Sequence, residues 1–301
     1  MMDGLSALSE SLASVIEKIG AGVVGVEGRG SRGTGVAWSS DGLVVTADHV
    51  VRHEDGVRVR LADGATVDAD LVGRDPTTDV ALLRARGAAL TAPLWAEPAS
   101  LRVGNLVLAL GRPGQSLRAT IGIVSVLGEA WQTPAGGRLD RYLEADVLLY
   151  RGFSGGPLID AAGNVLGINT AGHRRGGSLT VVTPTVRRVV EALLAHGRIR
   201  HGFLGIATQS VRLAPGLTQQ GRQPGGLLVV EVQPGSPAEQ GGLLMGDTLL
   251  AVAGQAVRYP EELFGLLGGE RIGTSVPIQI IRAGKTQELT ITVGERLRRS
   301  A

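Results

Sequence analysis

The first apolar pattern along the chain has helical spacing. The side chains that share one face of this helix are Leu5, Leu8, Leu12, Val15 and Ile16. The spacing predicts an amphipathic helix over residues 4–19 that ends at Gly20. Its apolar face can pack against the body of the same chain, which we favour, or against another subunit. Residues 1–19 are therefore assigned to an N-terminal helix that is also a candidate oligomerisation segment.

From residue 21 the pattern changes to short runs of β-branched and apolar residues, each bounded by Gly, Asp or Pro. The first six runs are VVGVE, GVAW, LVVTA, VRVRL, TVDADLVG and DVALLRA. After the bridge TAPLWAEPAS, six more follow: NLVLALG, TIGIVSVLG, YLEAD, PLID, VLGINTA and SLTVVTP. This pattern predicts two six-stranded antiparallel β-barrels over residues 20–197. A helix in TVRRVVEALLAHG closes the region at Gly197.

Residues 198–297 have a different pattern, in which strand-like and helix-like segments are mixed. This pattern predicts a small separate α/β module. GLLVVEVQ and VPIQIIRAGKTQELTITV have the character of strands, and PEELFGLL that of a helix. SPAEQGG predicts a very short helix with Ser236 as N-cap, Pro237 in the first turn and Glu239 at the capping-box position. The expected fold class is mainly β.

The composition of the 301 residues limits the chemistry. The 46 glycines and an aromatic content of 3% favour short strands and tight turns over long helices. A formal net charge of +2 gives no support for nucleic-acid binding. The absence of Cys excludes disulfides, thiolate metal sites and a cysteine nucleophile, and it permits either a reducing or an oxidising compartment.

The N-terminal stretch MMDGLSALSESLASVIEKIG lacks the basic start and the apolar run of a signal peptide. No segment approaches the roughly 18 apolar residues of a membrane span, so we expect no integral membrane segment in this chain. We expect a cytoplasmic protein if the sequence is complete, and a cell-envelope or periplasmic protein if a leader or anchor has been removed.

Two glycine motifs are rejected by their context. GRGSRG, residues 28–33, fits a dinucleotide fingerprint, but a β-branched strand follows where that site needs a helix, so we predict a hairpin turn. GFSGG fits the nucleophile elbow of α/β-hydrolases, but Pro157 and the hairpin after it exclude the helix that the elbow requires.

A serine nucleophile with a histidine base is the chemistry that the remaining motifs favour. Ser154 lies among glycines in RGFSGGPLID, His49 follows the strand LVVTA, and Asp79 precedes the strand VALLRA. The first two residues lie in one predicted barrel and the third in the other. This is the chain order and partition of the double-barrel serine peptidases, in which His49 would take the proton of Ser154 and Asp79 would orient His49. The backbone N–H groups of Gly152 and Ser154 would form the oxyanion hole.

Several motifs in order resemble the HtrA (Deg) family of serine proteases. TADHVV, DPTTDVALL, VGNLVLALGRPG, TIGIVSVLG and FSGGPLID match family segments, and GFLGI with VVEVQPGSPAEQGGLLMGDTLLAVAGQAV is similar to the PDZ module of that family. The resemblance covers about residues 10–297. It implies a chymotrypsin-like protease domain followed by one PDZ domain.

The resemblance also implies a function. We expect an ATP-independent serine endopeptidase that degrades unfolded or misfolded proteins, with a PDZ domain that binds C-terminal peptides. A preference for a small or medium aliphatic residue before the cleaved bond and a homotrimeric assembly are implied in the same way. No cofactor and no metal are expected. The alternative is a peptide-binding or chaperone protein without proteolytic activity, built on a protease scaffold.

The sequence departs from the family around the nucleophile. The family usually has N-P-G-N-S-G-G-P, whereas Tyr150, Arg151 and Phe153 replace the two Asn and the Pro here. These departures leave open the conformation of the oxyanion loop in the absence of substrate and the shape of the substrate pocket. Asp48 beside His49 is also unusual, and we expect it to be solvated rather than to tune the pKa of His49.

Two further histidines are candidates for other roles. His53 lies four residues after His49, but the sequence offers no third ligand for a metal. His173, next to Arg174 and Arg175, is expected in a solvated basic loop rather than in the wall of a specificity pocket.

A candidate carboxylate-binding loop begins the C-terminal module. Gly202, Phe203, Leu204 and Gly205 lie directly before a strand. A turn of this kind can direct successive N–H groups at the terminal carboxylate of a peptide that adds to the strand. An ordinary β-turn with a buried Phe-Leu pair is the alternative. Leu263 and Leu267 of the helix PEELFGLL are expected to face the peptide groove or its underside.

Overall fold

The computed structural model describes residues 2–98, 100–133, 136–171, 179–200, 202–213 and 224–295. The chain divides into two compact units, Met1–Ile199 and Arg200–Ala301, which we call unit 1 and unit 2. Most regular structure in the described residues is β-strand, so the mainly β fold class is confirmed.

The first barrel of unit 1 is built from six short strands. They are β1 (Val23–Gly28), β2 (Ser31–Ala37), β3 (Leu43–Thr46), β4 (Arg58–Arg60), β5 (Thr66–Asp75) and β6 (Val80–Ala85). They close into an antiparallel barrel in the order β1-β2-β3-β6-β5-β4. Gly28 pairs with Ser31 across the β1–β2 hairpin, so GRGSRG is a hairpin turn as predicted. A single 3-10 turn, Asp48–Val50, follows β3.

The second barrel also has six strands. They are β7 (Leu106–Gly111), β8 (Arg118–Gly128), β11 (Tyr142–Ala145), β12 (Pro157–Asp160), β13 (Val165–Thr170) and β14 (Leu179–Val182). The barrel closes in the order β11-β14-β13-β12-β7-β8, which confirms the predicted double barrel. Two further strands, β9 (Trp131–Gln132) and β10 (Arg138–Leu139), form a ribbon of their own. Strands of two residues are too short to show an alternating pattern, so the sequence did not predict them.

Apolar side chains from both barrels form one buried cluster within unit 1. Val36, Val45 and Leu82 come from the first barrel, and Leu108 and Ile168 from the second. Helix α2 (Thr183–His196) packs on the same cluster and ends at Gly197, which has a left-handed φ of 67°. This shared core fixes the two barrels against each other within the unit.

The N-terminal helix α1 (Met2–Gly20) packs against the rest of unit 1 through its second half. Its later residues, including Leu12 and Ile16, pack against the shared cluster, and Ile19 is buried. Its earlier face is open, with Leu5 73% and Leu8 42% exposed. Among the residues that the structure describes, no helix combines the length and the apolar character needed to cross a membrane.

Unit 2 is a small sheet with two short helices. Its strands are β15 (Gly202–Phe203), β16 (Ile206–Arg212), β17 (Gly225–Val232), β18 (Thr248–Val252), β19 (Gln255–Ala256), β20 (Ser275–Arg282), β21 (Lys285–Thr292) and β22 (Gly294–Glu295). Its helices are α3 (Pro237–Gln240) and α4 (Pro260–Leu266), and a 3-10 turn spans Gly269–Arg271. The sheet runs β16-β17-β18-β20-β21, so β16 is an edge strand. Ser236 caps α3 as predicted, because its hydroxyl accepts from the N–H of Glu239 at 3.3 Å.

Candidate active site

His49 and Asp79 form a two-point contact in the first barrel. Nδ1 of His49 lies 2.7 Å from Oδ2 of Asp79, and the backbone N–H of His49 donates to Oδ1 at 2.9 Å. Both carboxylate oxygens therefore face one histidine. A carboxylate in this position fixes the ring tautomer with its hydrogen on Nδ1, which leaves Nε2 free to accept a proton.

Neighbouring strands bring these two side chains together. His49 lies in the 3-10 turn after β3, Asp79 immediately precedes β6, and β3 and β6 pair in the barrel. Asp79 has a φ of 58°, a left-handed conformation that Asp tolerates better than most residues. The N–H of Asp48 donates to the carbonyl of Asp79 at 3.2 Å, which ties the two segments at the backbone.

The pKa values of the pair move apart in the directions that favour an ion pair. The hydrogen bond that His49 donates to Asp79 raises the pKa of His49, burial lowers it, and the charges of Asp79 and Asp48 add to the rise. Burial would raise the pKa of Asp79, but the hydrogen bond and charge of His49 and the bond from Thr170 together bring it below its ordinary value. The carboxylate is thus ionised when His49 accepts a proton.

Ser154 lies in the loop between β11 and β12, against the first barrel. Its carbonyl accepts from the N–H of Thr34 at 3.0 Å. Gly155 follows it with a φ of 83°, and a Cβ added to Gly155 would lie 2.7 Å from the backbone nitrogen of Ala47. Only glycine can approach so closely, and the approach places Ser154 beside the segment that leads into His49. Within the described part of the chain, Ser154 Oγ forms no hydrogen bond with His49.

The backbone around Gly152 is shaped as a tight turn. The N–H of Phe153 donates to the carbonyl of Tyr150 at 3.0 Å, and Gly152 has a φ of 89°. A Cβ on Gly152 would lie 2.5 Å from Cβ of Pro113, so a larger residue would displace the turn. The N–H groups of Gly152 and Ser154 donate to no acceptor among the described residues. Both donors are therefore available to an oxygen of a bound molecule.

Two threonines contact the site residues and were not found from the sequence. Thr170, at the end of β13, donates its hydroxyl to Oδ2 of Asp79. Thr34, on β2, donates its hydroxyl to the carbonyl of Gly152 at 2.6 Å and accepts from the N–H of Arg112 at 2.8 Å. Each contact joins one barrel to the other. In the sequence both residues look like ordinary strand threonines, so no local signal could have found them.

The unusual residues beside Ser154 take different positions. Phe153 is fully buried in the core of the second barrel, where a Cβ on Gly111 would lie 2.5 Å from its ring. Tyr150 packs edge-on against Phe153 with ring centroids 5.7 Å apart. Arg151 is exposed. The aromatic pair thus anchors the nucleophile loop through apolar contact.

The prediction that Asp48 is solvated is wrong. Its residue is 6% exposed, and its carboxylate forms an ion pair with the guanidinium of Arg74. A carboxylate buried in the barrel needs such a partner to offset the loss of hydration. The charge of Asp48 also contributes to the raised pKa of His49, contrary to the expectation that Asp48 does not tune this pKa.

The other histidines that the structure describes add no second site. His53 is exposed, and among the described residues no three His, Cys, Asp or Glu side chains lie close enough to hold a metal ion. The loop with His173, Arg174 and Arg175 lies outside the described residues.

The loop Gly202–Gly205 in unit 2 presents open backbone donors. The carbonyls of Leu204 and Gly205 accept from Ala238 at 2.9 Å and Gln233 at 2.8 Å, whereas their own N–H groups donate to no described residue. Gly205 has a φ of 83°. Leu204 is buried while Phe203 is half-buried. The loop leads into β16, whose outer edge is unpaired within the described sheet.

The helix α4 forms the wall beside this edge strand. It packs next to β16, and Leu263 and the following Leu267 are both buried in the core of unit 2. The side chains of both leucines thus point into this core. Phe264 and Tyr259 are the large apolar side chains that remain exposed at this helix.

Both units of the chain match families of known proteins. Residues 33–168 match the family described as trypsin-like peptidase domain, and residues 202–293 match the PDZ domain. The chain is similar to the solved structure of the HtrA-type protease AlgW with a tripeptide, at 30% identity and a TM-score of 0.79, with 96% of this chain and 98% of that chain covered. It is also similar to the serine endoprotease from Yersinia pestis, at 27% identity and a TM-score of 0.77, with 95% and 98% covered.

Curated relatives carry a related description. A probable periplasmic serine endoprotease, DegP-like, from Pseudomonas putida (strain GB-1) is 37% identical over 270 residues, which are 88% of this chain and 56% of the relative. The relative from Rhizobium meliloti (strain 1021) has the same description and is 33% identical over 271 residues, with 88% and 53% covered. The chain thus spans about half the length of the curated relatives it matches.

The expectation of a cytoplasmic protein is contradicted by these relatives, which are named periplasmic. The expectation rested on the N-terminal stretch, which lacks a signal-peptide pattern, and a composition without Cys is compatible with either redox compartment and so could not correct it.

Proposed function

Because the chain belongs to the HtrA family of serine proteases, we propose that it is a serine endopeptidase of the periplasm that degrades unfolded polypeptides without ATP. Ser154 is its nucleophile, His49 its general base and Asp79 the group that orients the base. The contact of 2.7 Å between His49 Nδ1 and Asp79 Oδ2 is the observation that carries this proposal.

The reaction follows from the positions of these groups. His49 Nε2 removes the proton of the Ser154 hydroxyl as its oxygen attacks the carbonyl carbon of the cleaved bond. The negative charge that develops on the carbonyl oxygen is held by the free N–H groups of Gly152 and Ser154. His49 then gives the proton to the leaving amine. Water, activated by the same histidine, hydrolyses the acyl-enzyme and restores the serine.

A fluorophosphonate probe tests this proposal against the alternative of a peptide-binding protein without proteolytic activity. The probe labels a serine only where a base has activated it. We expect stoichiometric labelling that mass spectrometry assigns to Ser154, while the exposed Ser116 in the same unit stays unmodified. An unlabelled, correctly folded protein would favour the alternative.

The raised pKa of His49 predicts a displaced pH profile. His49 must be neutral to accept a proton, so kcat/KM falls as the pH drops through its pKa. Since Asp79 and Asp48 raise this pKa, the midpoint of the fall should lie above the ordinary value for histidine. A pH series of kcat/KM with a quenched fluorescent peptide measures it. A profile that is flat between roughly pH 5 and pH 8 would contradict a histidine base.

We propose that unit 2 binds the C-terminal ends of polypeptides. The N–H groups of Leu204 and Gly205 are free to hold a terminal carboxylate, and the unpaired edge of β16 can accept a peptide as an additional strand. Phe203 and the helix α4 supply apolar surface for the last side chain. An apolar C-terminal residue is therefore the expected ligand.

Amidation of the C-terminus of a bound peptide should weaken its binding to unit 2. An amide removes the charge that the loop would hold, so we expect affinity for the full chain to fall at least about tenfold relative to the free acid. Isothermal titration of the Ser154→Ala protein with an acid and amide pair measures the difference without cleavage of the peptide. Equal affinities would mean that Gly202–Gly205 does not bind a carboxylate.

We also propose a homotrimer in which α1 contributes to the contacts. The support is the open face with Leu5 and Leu8, since exposed leucines at helical spacing favour burial against another surface. Sedimentation equilibrium gives the mass of the assembly directly.

A further inference from the structure

A cavity opens beside the nucleophile loop of unit 1. It has a volume of about 610 Å³, which is enough for more than one amino-acid side chain. The lining residues that matter here are Glu27, Ser31, Arg32, Arg58, Arg151 and Gly152. Three arginines and one glutamate thus line a single open space.

The charges of this cavity are unbalanced toward positive. Glu27 already pairs with Arg58 at 3.1 Å and with Arg60, so both of its oxygens are engaged. Arg32 and Arg151 are exposed, and neither forms an ion pair with any described residue. Arg32 and Arg151 are therefore both available to an anion that enters the cavity, and each guanidinium group carries N–H donors in a fork that suits a carboxylate.

The position of the cavity relates it to one side of the cleaved bond. One wall includes Gly152, which the proposed function assigns to the oxyanion hole. Another wall includes Ser31, whose hydroxyl donates to the carbonyl of Val50 at 2.7 Å. Val50 directly follows His49, the group that protonates the leaving amine. Because His49 protonates the leaving amine, the residues after the cleaved bond lie on the His49 side of the reacting carbonyl, and the contact between Val50 and Ser31 connects that side to the cavity.

We propose that the cavity is a subsite for an acidic side chain, Asp or Glu, that follows the cleaved bond of a substrate. This proposal rests on the proposed protease function and adds a substrate preference to it. Arg32 and Arg151 bind the carboxylate, and Arg58 keeps Glu27 from repelling it.

The size of the preference follows from the exposure of the arginines. Exposed ion pairs are weak, so two of them give a preference of about fivefold for Glu over the isosteric Gln at low salt. Screening shortens the range of the attraction to about 3 Å at 1 M salt, so the preference should disappear there. A preference that came from shape alone would persist.

Pairs of peptides that differ only by Glu or Gln at one position test the proposal. Each quenched fluorescent peptide has valine before the cleaved bond and either Glu or Gln at the first, second or third position after it. Both ends are blocked, so that the carboxylate loop of unit 2 cannot bind them. We expect the ratio of kcat/KM for Glu over Gln to be about five in at least one pair for the wild type. The ratio should fall to about one in the Arg32→Gln, Arg151→Gln double variant.

The matched control is Arg102→Gln, which removes an exposed arginine of unit 1 that lies outside the cavity lining. It should keep the wild-type ratio. Because the ratio is taken within each protein, a general loss of activity in a variant does not affect it. A ratio near one in all three wild-type pairs, or a ratio unchanged in the double variant, would overturn the subsite.

Binding separates failure of the subsite from failure of the protease. Fluorescence anisotropy measures the same peptide pairs on the Ser154→Ala protein, with and without the two arginine changes. If the wild type cleaves no peptide while the Glu peptide still binds more tightly through Arg32 and Arg151, the protease function fails and the acidic site stands. If both members of every pair are cleaved and bound equally, the protease stands and the acidic site is refuted.

Discussion

The Ser154→Ala protein should lose at least about 10³-fold in kcat/KM for peptide hydrolysis, the order of effect seen when a triad residue is removed. The hydroxyl oxygen is the attacking atom. Its removal leaves the backbone N–H donors at positions 152 and 154 in place. The fold should be unchanged, since Ser154 is held through its carbonyl by Thr34 and not through its side chain. Casein degradation and the kinetics of a quenched peptide measure the loss.

Ser116→Ala is the matched control for this change, because Ser116 is an exposed serine of the same unit. It should keep wild-type activity and the wild-type melting temperature. Turnover retained by purified Ser154→Ala protein would show that a different nucleophile acts, and the assignment of His49 and Asp79 would fall with it.

Asp79→Asn should lower kcat/KM by about 10³- to 10⁴-fold. The amide NH2 group can donate to Nδ1 of His49, and that moves the ring hydrogen to Nε2. A histidine in this tautomer cannot accept the proton of Ser154, although its position is nearly unchanged. The raised pKa of His49 should also decrease, because the carboxylate that causes most of the rise is gone. Peptide kinetics and a histidine NMR titration measure the two effects separately.

Asp75→Asn provides the control in the same turn. Asp75 is a buried carboxylate that accepts from the N–H of Thr77 at 3.0 Å and from the hydroxyl of Thr78 at 2.7 Å, and among the described residues it forms no hydrogen bond with His49. Its change should destabilise the turn by about 1 to 3 kcal/mol and lower kcat/KM by less than about tenfold. If both variants lost activity equally, the effect of Asp79 would be one of folding and not of the histidine tautomer.

The barrels could be predicted from the sequence because their signal is local. Each strand is a short apolar run that ends at Gly, Asp or Pro, and this period does not depend on the rest of the fold. The capped helices at Ser236 and Gly197 could be predicted for the same reason, since a cap is made by residues a few positions away.

The contacts of the site depend on distant parts of the chain and were harder to predict. Thr34 and Thr170 gain their roles only when the two barrels meet, and the sequence near them carries no trace of it. Asp48 was wrongly expected to be solvated because its partner Arg74 lies on β5, outside the local window. Charge alone favours exposure, and only the tertiary ion pair reverses that preference.

The bonds of Thr34 have a consequence for when the protein becomes active. Thr34 belongs to the first barrel, yet its N–H and hydroxyl hold the carbonyls of Ser154 and Gly152 in the nucleophile loop of the second. A chain in which only one barrel has folded therefore lacks both of the bonds by which Thr34 holds the nucleophile loop. Under the proposed mechanism, peptide cleavage therefore requires that both barrels are folded and in contact.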